Sequence, residues 1–187
     1  QAIGISPEEY IDTLGWAMTN PSEPVIVDAS EAECFDNIQE KVNLMELPIP
    51  HHWPQDRGRY SSASVIIAED NGIRNMSFHR QFVRDENHLV VRLVPRHLRT
   101  MTMNARKTGG EVNIAVVNAP DPVVLLAAAM SFDENIDELT IAAALANKSS
   151  EEYGLQYARA IYSQWGKQSD STSLIGKKNK TFERKKN

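Results

Sequence analysis

Ser64-Val-Ile-Ile-Ala68-Glu-Asp70-Asn-Gly72-Ile-Arg-Asn75-Met-Ser-Phe-His-Arg80-Gln-Phe-Val83-Arg-Asp85-Glu-Asn87-His-Leu89-Val-Val-Arg-Leu-Val94 is the stretch on which the fold turns. Ser64–Ala68, Asn75–Val83 and Leu89–Val94 are rich in branched and aromatic side chains, which fit a pleated, half-buried surface. Asp70-Asn-Gly72 is a strong tight-turn signal, because Asn and Gly tolerate the positive φ that a two-residue hairpin needs. Asp85-Glu-Asn87 offers a second turn. The spacing therefore predicts a meander of three antiparallel strands.

Helices are expected on either side. His97–Lys107 reads as a helix closed by Gly109-Gly110. Val112–Asn118 reads as a buried strand. Asp121–Met130 reads as an apolar, buried helix, with Asp121 as its cap and Pro122 at its first position. Asp137–Asn147 should be a short helix, and Glu151–Trp165 looks amphipathic. From Ser169 onward the polar, basic chain reads as disordered. Upstream, residues 6–20 read as a helix capped by Ser6, with Pro7 at its first position, ending at Asn20-Pro21. Val25-Ile-Val27 looks like a short strand. A proline-marked passage, Leu44–Pro50, then leads into His51-His52-Trp53. The class is α+β, with no internal repeat.

A chain of 187 residues can bury a real core. Its apolar and charged fractions are those of an ordinary globular domain. No run of about 18 apolar residues occurs, so no membrane helix is expected, and nothing reads as a signal peptide. Cys34 is the single cysteine, which excludes an internal disulfide and fits a reducing cytoplasm. The formal charge is −5, although residues 177–187 carry six basic groups and one acid. An acidic body argues against a general nucleic-acid protein, whose affinity rests on neutralising phosphates. Nucleotide-loop and Gly-x-Ser-x-Gly motifs are missing, so those readings find no support.

Asn75, His97 and Glu138 offer an amide oxygen, an imidazole and a carboxylate, donors that suit a Mn²⁺- or Mg²⁺-like ion that also holds a phosphate. Each has an ordinary reading as well. Asn75 fits a polar residue beside a turn, and His97 a surface histidine at a helix start. The helix dipole alone favours Glu138 in a first turn. Arg80 could pair with any surface acid. His51-His52 reads as part of a polar loop, and Met101 and Met103 as core filling. Trp16 and Trp165 read as anchors of the terminal helices.

Taken in order, Pro48-Ile-Pro50, Asp56-Arg-Gly-Arg-Tyr60-Ser-Ser-Ala, Arg74-Asn-Met-Ser-Phe-His-Arg80, Val94-Pro-Arg-His97 and Asp121–Met130 through Glu138 resemble the UbiD-type decarboxylases, which use prenylated FMN. The likeness runs from about Leu47 to Asn147. It implies a split β-barrel flavin-binding domain of antiparallel strands with flanking helices. It also implies three spans: an N-terminal helix-strand remnant at 1–43, the cofactor-binding domain at 44–148, and a C-terminal helix and tail at 149–187. Asn75, His97 and Glu138 match the family's ligands for Mn²⁺ or Mg²⁺, which bridge to the flavin phosphate, with K⁺ as an additional cation. Ser62, Ser77, Phe78, His79, Arg96, Ala129 and Met130 match positions around the cofactor, with Ala128 beside them. Arg80 matches the arginine that orients the substrate carboxylate, a task suited to a guanidinium fork.

The function so implied is decarboxylation of a small aromatic or α,β-unsaturated acid, with prenylated FMN (or FMN) supplied by a flavin prenyltransferase. One departure is plain. The family's Glu-x-x-x-x-Glu-Gly segment, source of the proton donor and of an acid that pairs with the arginine, is not in this sequence. Glu134, Glu151, Glu152 or a second decarboxylase subunit would then supply the acid. The alternatives are a non-catalytic flavin-binding subunit of a split decarboxylase and a truncated product without cofactor. Self-association is expected, to cover apolar surface.

Overall fold

The computed structural model describes residues 5–26, 39, 41–133, 135–153, 166–167 and 173–175. Two compact units form. One combines residues 38–119 and 164–187, the other residues 1–37 and 120–163.

The first unit holds two four-stranded sheets. Strands β1 (Tyr60–Ser61), β2 (Val65–Asp70), β3 (Ile73–Phe78), β4 (Gln81–Asp85) and β5 (His88–Val91) come first. Helix α2 (His97–Lys107) and strand β6 (Asn113–Val117) follow, helix α1 (Tyr10–Thr19) belonging to the other unit. Val65 to Ala68 is buried at every position, as expected of a strand paired on both edges. Its partners are β3, in the register Val65↔Phe78 to Asp70↔Ile73, and β6, in the register Val65↔Val117 to Glu69↔Asn113. Asn71 (φ 51°) and Gly72 (φ 79°) both adopt positive φ, so the β2–β3 hairpin closes as its sequence predicts. The second sheet pairs β4 with β1 and with β5. Asp85 turns that hairpin by accepting a hydrogen bond from the Asn87 backbone N–H at 3.0 Å.

Ile66 and Ala68 of one sheet, Val83, Leu89 and Val91 of the other, and Leu98 and Met101 of α2 make one buried cluster with Val112. Arg59 ties the proline-marked passage to this body, donating to the carbonyls of Met45 (2.8 Å), Ile49 (2.8 Å) and Leu47. Two short strands, β7 (Gly166–Lys167) and β8 (Ser173–Ile175), pair with β6 and β5 respectively.

The other unit packs α1 (Tyr10–Thr19) and α3 (Pro122–Ala129) on α4 (Glu138–Tyr153). Asp121 caps α3 by accepting from the Val123 N–H at 2.9 Å, with Pro122 next in line. Asp137 does the same for α4 through Leu139 N–H at 2.9 Å. Val124, Ala127, Leu139, Ile141, Ala144 and Leu145 are almost fully buried, the alanines letting helix backbones approach closely. Lys148 lies over the Trp16 ring, 4.8 Å from its centroid. Among the described residues no helix is long and apolar enough to cross a membrane.

Several expectations need correction. Asn75–Val83 is not one strand. It breaks after Phe78, and β3 and β4 belong to different sheets, so the three-strand meander becomes two separate hairpins. A continuous run of strand-forming residues hides such a crossing, because it leaves the period unchanged. β6 is half-buried along its length rather than fully buried. α1 starts at Tyr10, since Ser6 spends its hydroxyl on the Glu9 carboxylate (2.8 Å) instead of on a backbone N–H. Val25 is an isolated bridge residue, and α4 continues past Asn147 to Tyr153. Beyond Ser169, Ser173–Ile175 is paired. Cys34, Glu134 and Trp165 lie outside the described residues.

Candidate functional site

Strand β3 presents Asn75 and Ser77 on the same face, because side chains two apart on a strand point the same way. Pro95-Arg96 ends the extended chain and delivers His97 at the first position of α2. Asn75, only 3% exposed, comes within 3.0 Å of His97 through Nδ2 and Nδ1. Ser77 Oγ donates to Asn75 Oδ1 at 3.4 Å and lies 3.0 Å from His79 Nε2. His97, Asn75, Ser77 and His79 thus form one connected polar row against the buried face of the sheet. Burial holds the His79 imidazole below its usual pKa, partly opposed by a hydrogen bond with the Arg92 backbone. A neutral ring can take the single Ser77 hydroxyl proton in place of the longer contact to Asn75 Oδ1.

The side chains of the pair at the head of this row include an amide oxygen and an imidazole nitrogen, donors that would suit a cation. Two donors at right angles on an octahedral ion, each roughly 2.1 Å from it, stand about 3.0 Å apart. The Asn75–His97 separation has that span. An amide nitrogen does not ligate a metal, so Asn75 would hold an ion only with Oδ1 in the position that Nδ2 takes here. The donor set fits a hard divalent ion.

Arg80 follows the row on the link between β3 and β4. Its side chain is 60% exposed; Nη2 meets Asp56 Oδ1 at 3.2 Å, and its guanidinium sits over the Tyr60 ring, 4.2 Å from the centroid. Asp56 holds one corner of the fork and leaves the others able to take a second carboxylate. The second carboxylate oxygen, Asp56 Oδ2, is buried without a hydrogen-bond partner among the described residues. Ser62 is exposed, 3.5 Å from His52 Nε2, Phe78 is half-buried and Arg96 is exposed.

Ala129, Met130 and Glu138 belong to the helical unit. Ala129 is exposed, Met130 half-buried, and Ala128 buried. Glu138 is 2% exposed at the first position of α4, where the helix dipole favours a carboxylate. The structure therefore brings Asn75, Ser77, His79 and His97 together in one unit, with Arg80 next in the chain.

Sequence reasoning gave no role to three residues that matter here. Asp56 and Tyr60 fix Arg80, and only the fold shows it. Gln81 is fully buried, and among the described residues neither side-chain amide atom has a hydrogen-bond partner. Its signal is a polar residue opening a strand just before Phe82 and Val83, which costs stability when buried unless something pairs with it.

Comparison with known proteins adds the following. The family model described as UbiD, 3-octaprenyl-4-hydroxybenzoate carboxy-lyase Rift-related domain, matches residues 25–158. An anhydromevalonate phosphate decarboxylase of Methanothermobacter thermautotrophicus is 41% identical over 104 residues, covering 54% of this chain and 25% of the relative. One from Archaeoglobus fulgidus is 43% identical over 89 residues, covering 47% and 21%. Among solved structures, an evolved dimeric form of the UbiD-class enzyme HmfF from Pelotomaculum thermopropionicum, in complex with prFMN, superposes with a TM-score of 0.73 at 34% identity. That match covers 77% of this chain and 35% of the other. The same enzyme in complex with FMN matches equally well. The chain spans about a quarter of the length of these curated relatives.

Proposed function

The chain belongs to the UbiD family of carboxy-lyases, and from that premise we propose that it is the cofactor-binding part of a decarboxylase acting on a small unsaturated or aromatic acid. The supporting observations are the 3.0 Å approach of Asn75 to His97 and the Arg80–Asp56 pair, within one unit of the fold. Asn75 and His97 would hold Mn²⁺ or Mg²⁺; Glu138 is the third ligand on the family resemblance, with K⁺ as a further cation. Ser77 and His79 order the row behind the ion, and Ser62, Phe78, Arg96, Ala129 and Met130 complete the proposed cofactor surroundings. The two antiparallel sheets of the first unit support a split barrel within the proposed 44–148 domain, whose residues 120–148 cluster with the other unit.

Prenylated FMN, when bound, supplies the electron sink that lets the carboxylate leave as carbon dioxide. Arg80, anchored by Asp56 and Tyr60, orients the substrate carboxylate with the donors that Asp56 leaves over. A carboxylic acid then returns a proton to the product carbon; Glu134, Glu151, Glu152 or an acid on a second subunit is the donor. The curated relatives are named for anhydromevalonate phosphate, which favours a phosphorylated acid within that class. A reducing cytoplasm, a flavin prenyltransferase as cofactor source and self-association complete the proposal.

A second reading, taken from the family resemblance, is a flavin-binding subunit that works with a separate acid-bearing chain.

The test is to produce the chain with a flavin prenyltransferase and Mn²⁺, record its absorbance, and measure carbon dioxide release from unsaturated acids with and without candidate partner chains. Bound flavin with turnover that falls by about 100-fold or more in Arg80→Ala, as for loss of a substrate-positioning clamp, supports catalysis. Turnover indifferent to Arg80→Ala overturns Arg80 as the carboxylate clamp, and a colourless protein overturns both readings.

A further inference from the structure

Helix α2 has two unlike faces. With about 100° of rotation per residue, His97, Leu98 and Met101 fall on one side, where Leu98 and Met101 are buried. Arg99, Thr102, Met103 and Arg106 fall on the other at i, i+3, i+4 and i+7. Together with Val91, Arg92 and Leu93 at the end of β5, these four line a cavity of about 360 Å³.

Arg92, Arg99 and Arg106 are exposed and turn three guanidinium groups to the cavity, with no acid among its seven lining residues. Among the described residues none of Arg92, Arg99 and Arg106 has a side-chain ion pair or hydrogen bond. The negative end of the helix dipole accounts for Arg106 and Lys107 in the last turn, but not for Arg99 near the first turn or for Arg92 on the strand. Nor does the overall charge, which is −5. The rest of the lining is apolar or already satisfied: Val91, Leu93 and Met103 give an aliphatic wall, and Thr102 Oγ1 donates to the Leu98 carbonyl at 2.6 Å.

We infer that this cavity binds a small phosphomonoester with a short hydrocarbon body. A phosphomonoester carries between one and two negative charges near neutral pH and three acceptor oxygens, which suits several planar forks better than a carboxylate does. The aliphatic wall takes the hydrocarbon. The site lies across α2 from His97, and it stands whether or not the chain decarboxylates anything.

The test uses the full chain, titrated with n-butyl phosphate, butyrate and FMN by calorimetry. Butyl phosphate should bind at least about tenfold more tightly than butyrate. The double variant Arg99→Gln/Arg106→Gln should lose about tenfold or more, the scale of a lost charge-assisted hydrogen bond. Lys107→Gln, a neighbour outside the cavity lining, should stay within about twofold, as expected of an exposed charge. Far-UV circular dichroism checks the fold, and the two single variants read the same effect if the double one does not fold. Absence of butyl phosphate binding, equal binding of butyrate, or indifference to the arginine changes overturns the inference. So does FMN binding that falls as steeply as butyl phosphate binding in the double variant, since the flavin would then be the source of the phosphate.

Discussion

Replacing Asn75 separates an amide that holds a cation from one that merely satisfies its neighbours. Its side chain is 3% exposed and links His97 at 3.0 Å to Ser77 at 3.4 Å. Asn75→Ala removes a hydrogen bond from each of those partners, at a cost of about 1–3 kcal/mol. In a protein of this size each kcal/mol moves Tm by roughly 2–4 °C, so the metal-free variant should melt roughly 2–12 °C below wild type. Mn²⁺ at a hundred times its Kd stabilises the form that binds it by about 2.7 kcal/mol, which corresponds to roughly 5–11 °C. Wild type should show that increment, and Asn75→Ala should show little of it. Asn75→Asp is the sharper variant. Without metal it buries a carboxylate whose desolvation is unfavourable, so its Tm should fall. With Mn²⁺ the charge becomes a stronger ligand, so its increment should exceed that of wild type. Scanning calorimetry with and without Mn²⁺ reads all three. A wild-type Tm indifferent to Mn²⁺, or equal increments in wild type and Asn75→Ala, would refute the cation site and leave Asn75 as an ordinary buried amide.

Two further expectations concern stability. Burial holds the folded-state pKa of His79 below its unfolded value of 6.5, so the unfolded chain binds the proton first. The contribution of His79 is full above about pH 6.5 and is lost as pH falls from there through the lower folded-state value. Urea midpoints between pH 8 and pH 5 should therefore decline more steeply for wild type than for His79→Gln; parallel declines would show that His79 does not titrate this way. Ile66 is fully buried between β3 and β6, so Ile66→Ala should cost about 2–5 kcal/mol and Ile66→Val about 0.5–1.5. Urea midpoints check this, and a loss under about 1 kcal/mol for the alanine would mean that the site collapses to fill the void.

Much of this was legible along the chain because the signals were local. Asp70-Asn-Gly72 specifies positive φ within its own four-residue turn, and both Asn71 and Gly72 adopt it. Asp121-Pro122 caps and starts α3 within two residues, and α2 spans the predicted His97–Lys107. Ordered motifs also carried the family, since residue order survives without any knowledge of geometry. The tertiary structure decided what depends on contacts between distant positions. It broke the run from Asn75 to Val83 at His79 and Arg80 so that β3 and β4 enter different sheets. It set Asp56 and Tyr60 against Arg80, 24 and 20 positions apart in sequence, left the Gln81 amide buried and, among the described residues, unpaired, and gathered Arg92 with Arg99 and Arg106 around one cavity. Periodicity and capping report the environment of a residue and its neighbours within a turn or two. Which side chains meet across a sheet crossing or over a helix face follows only from how the whole hydrophobic core is packed.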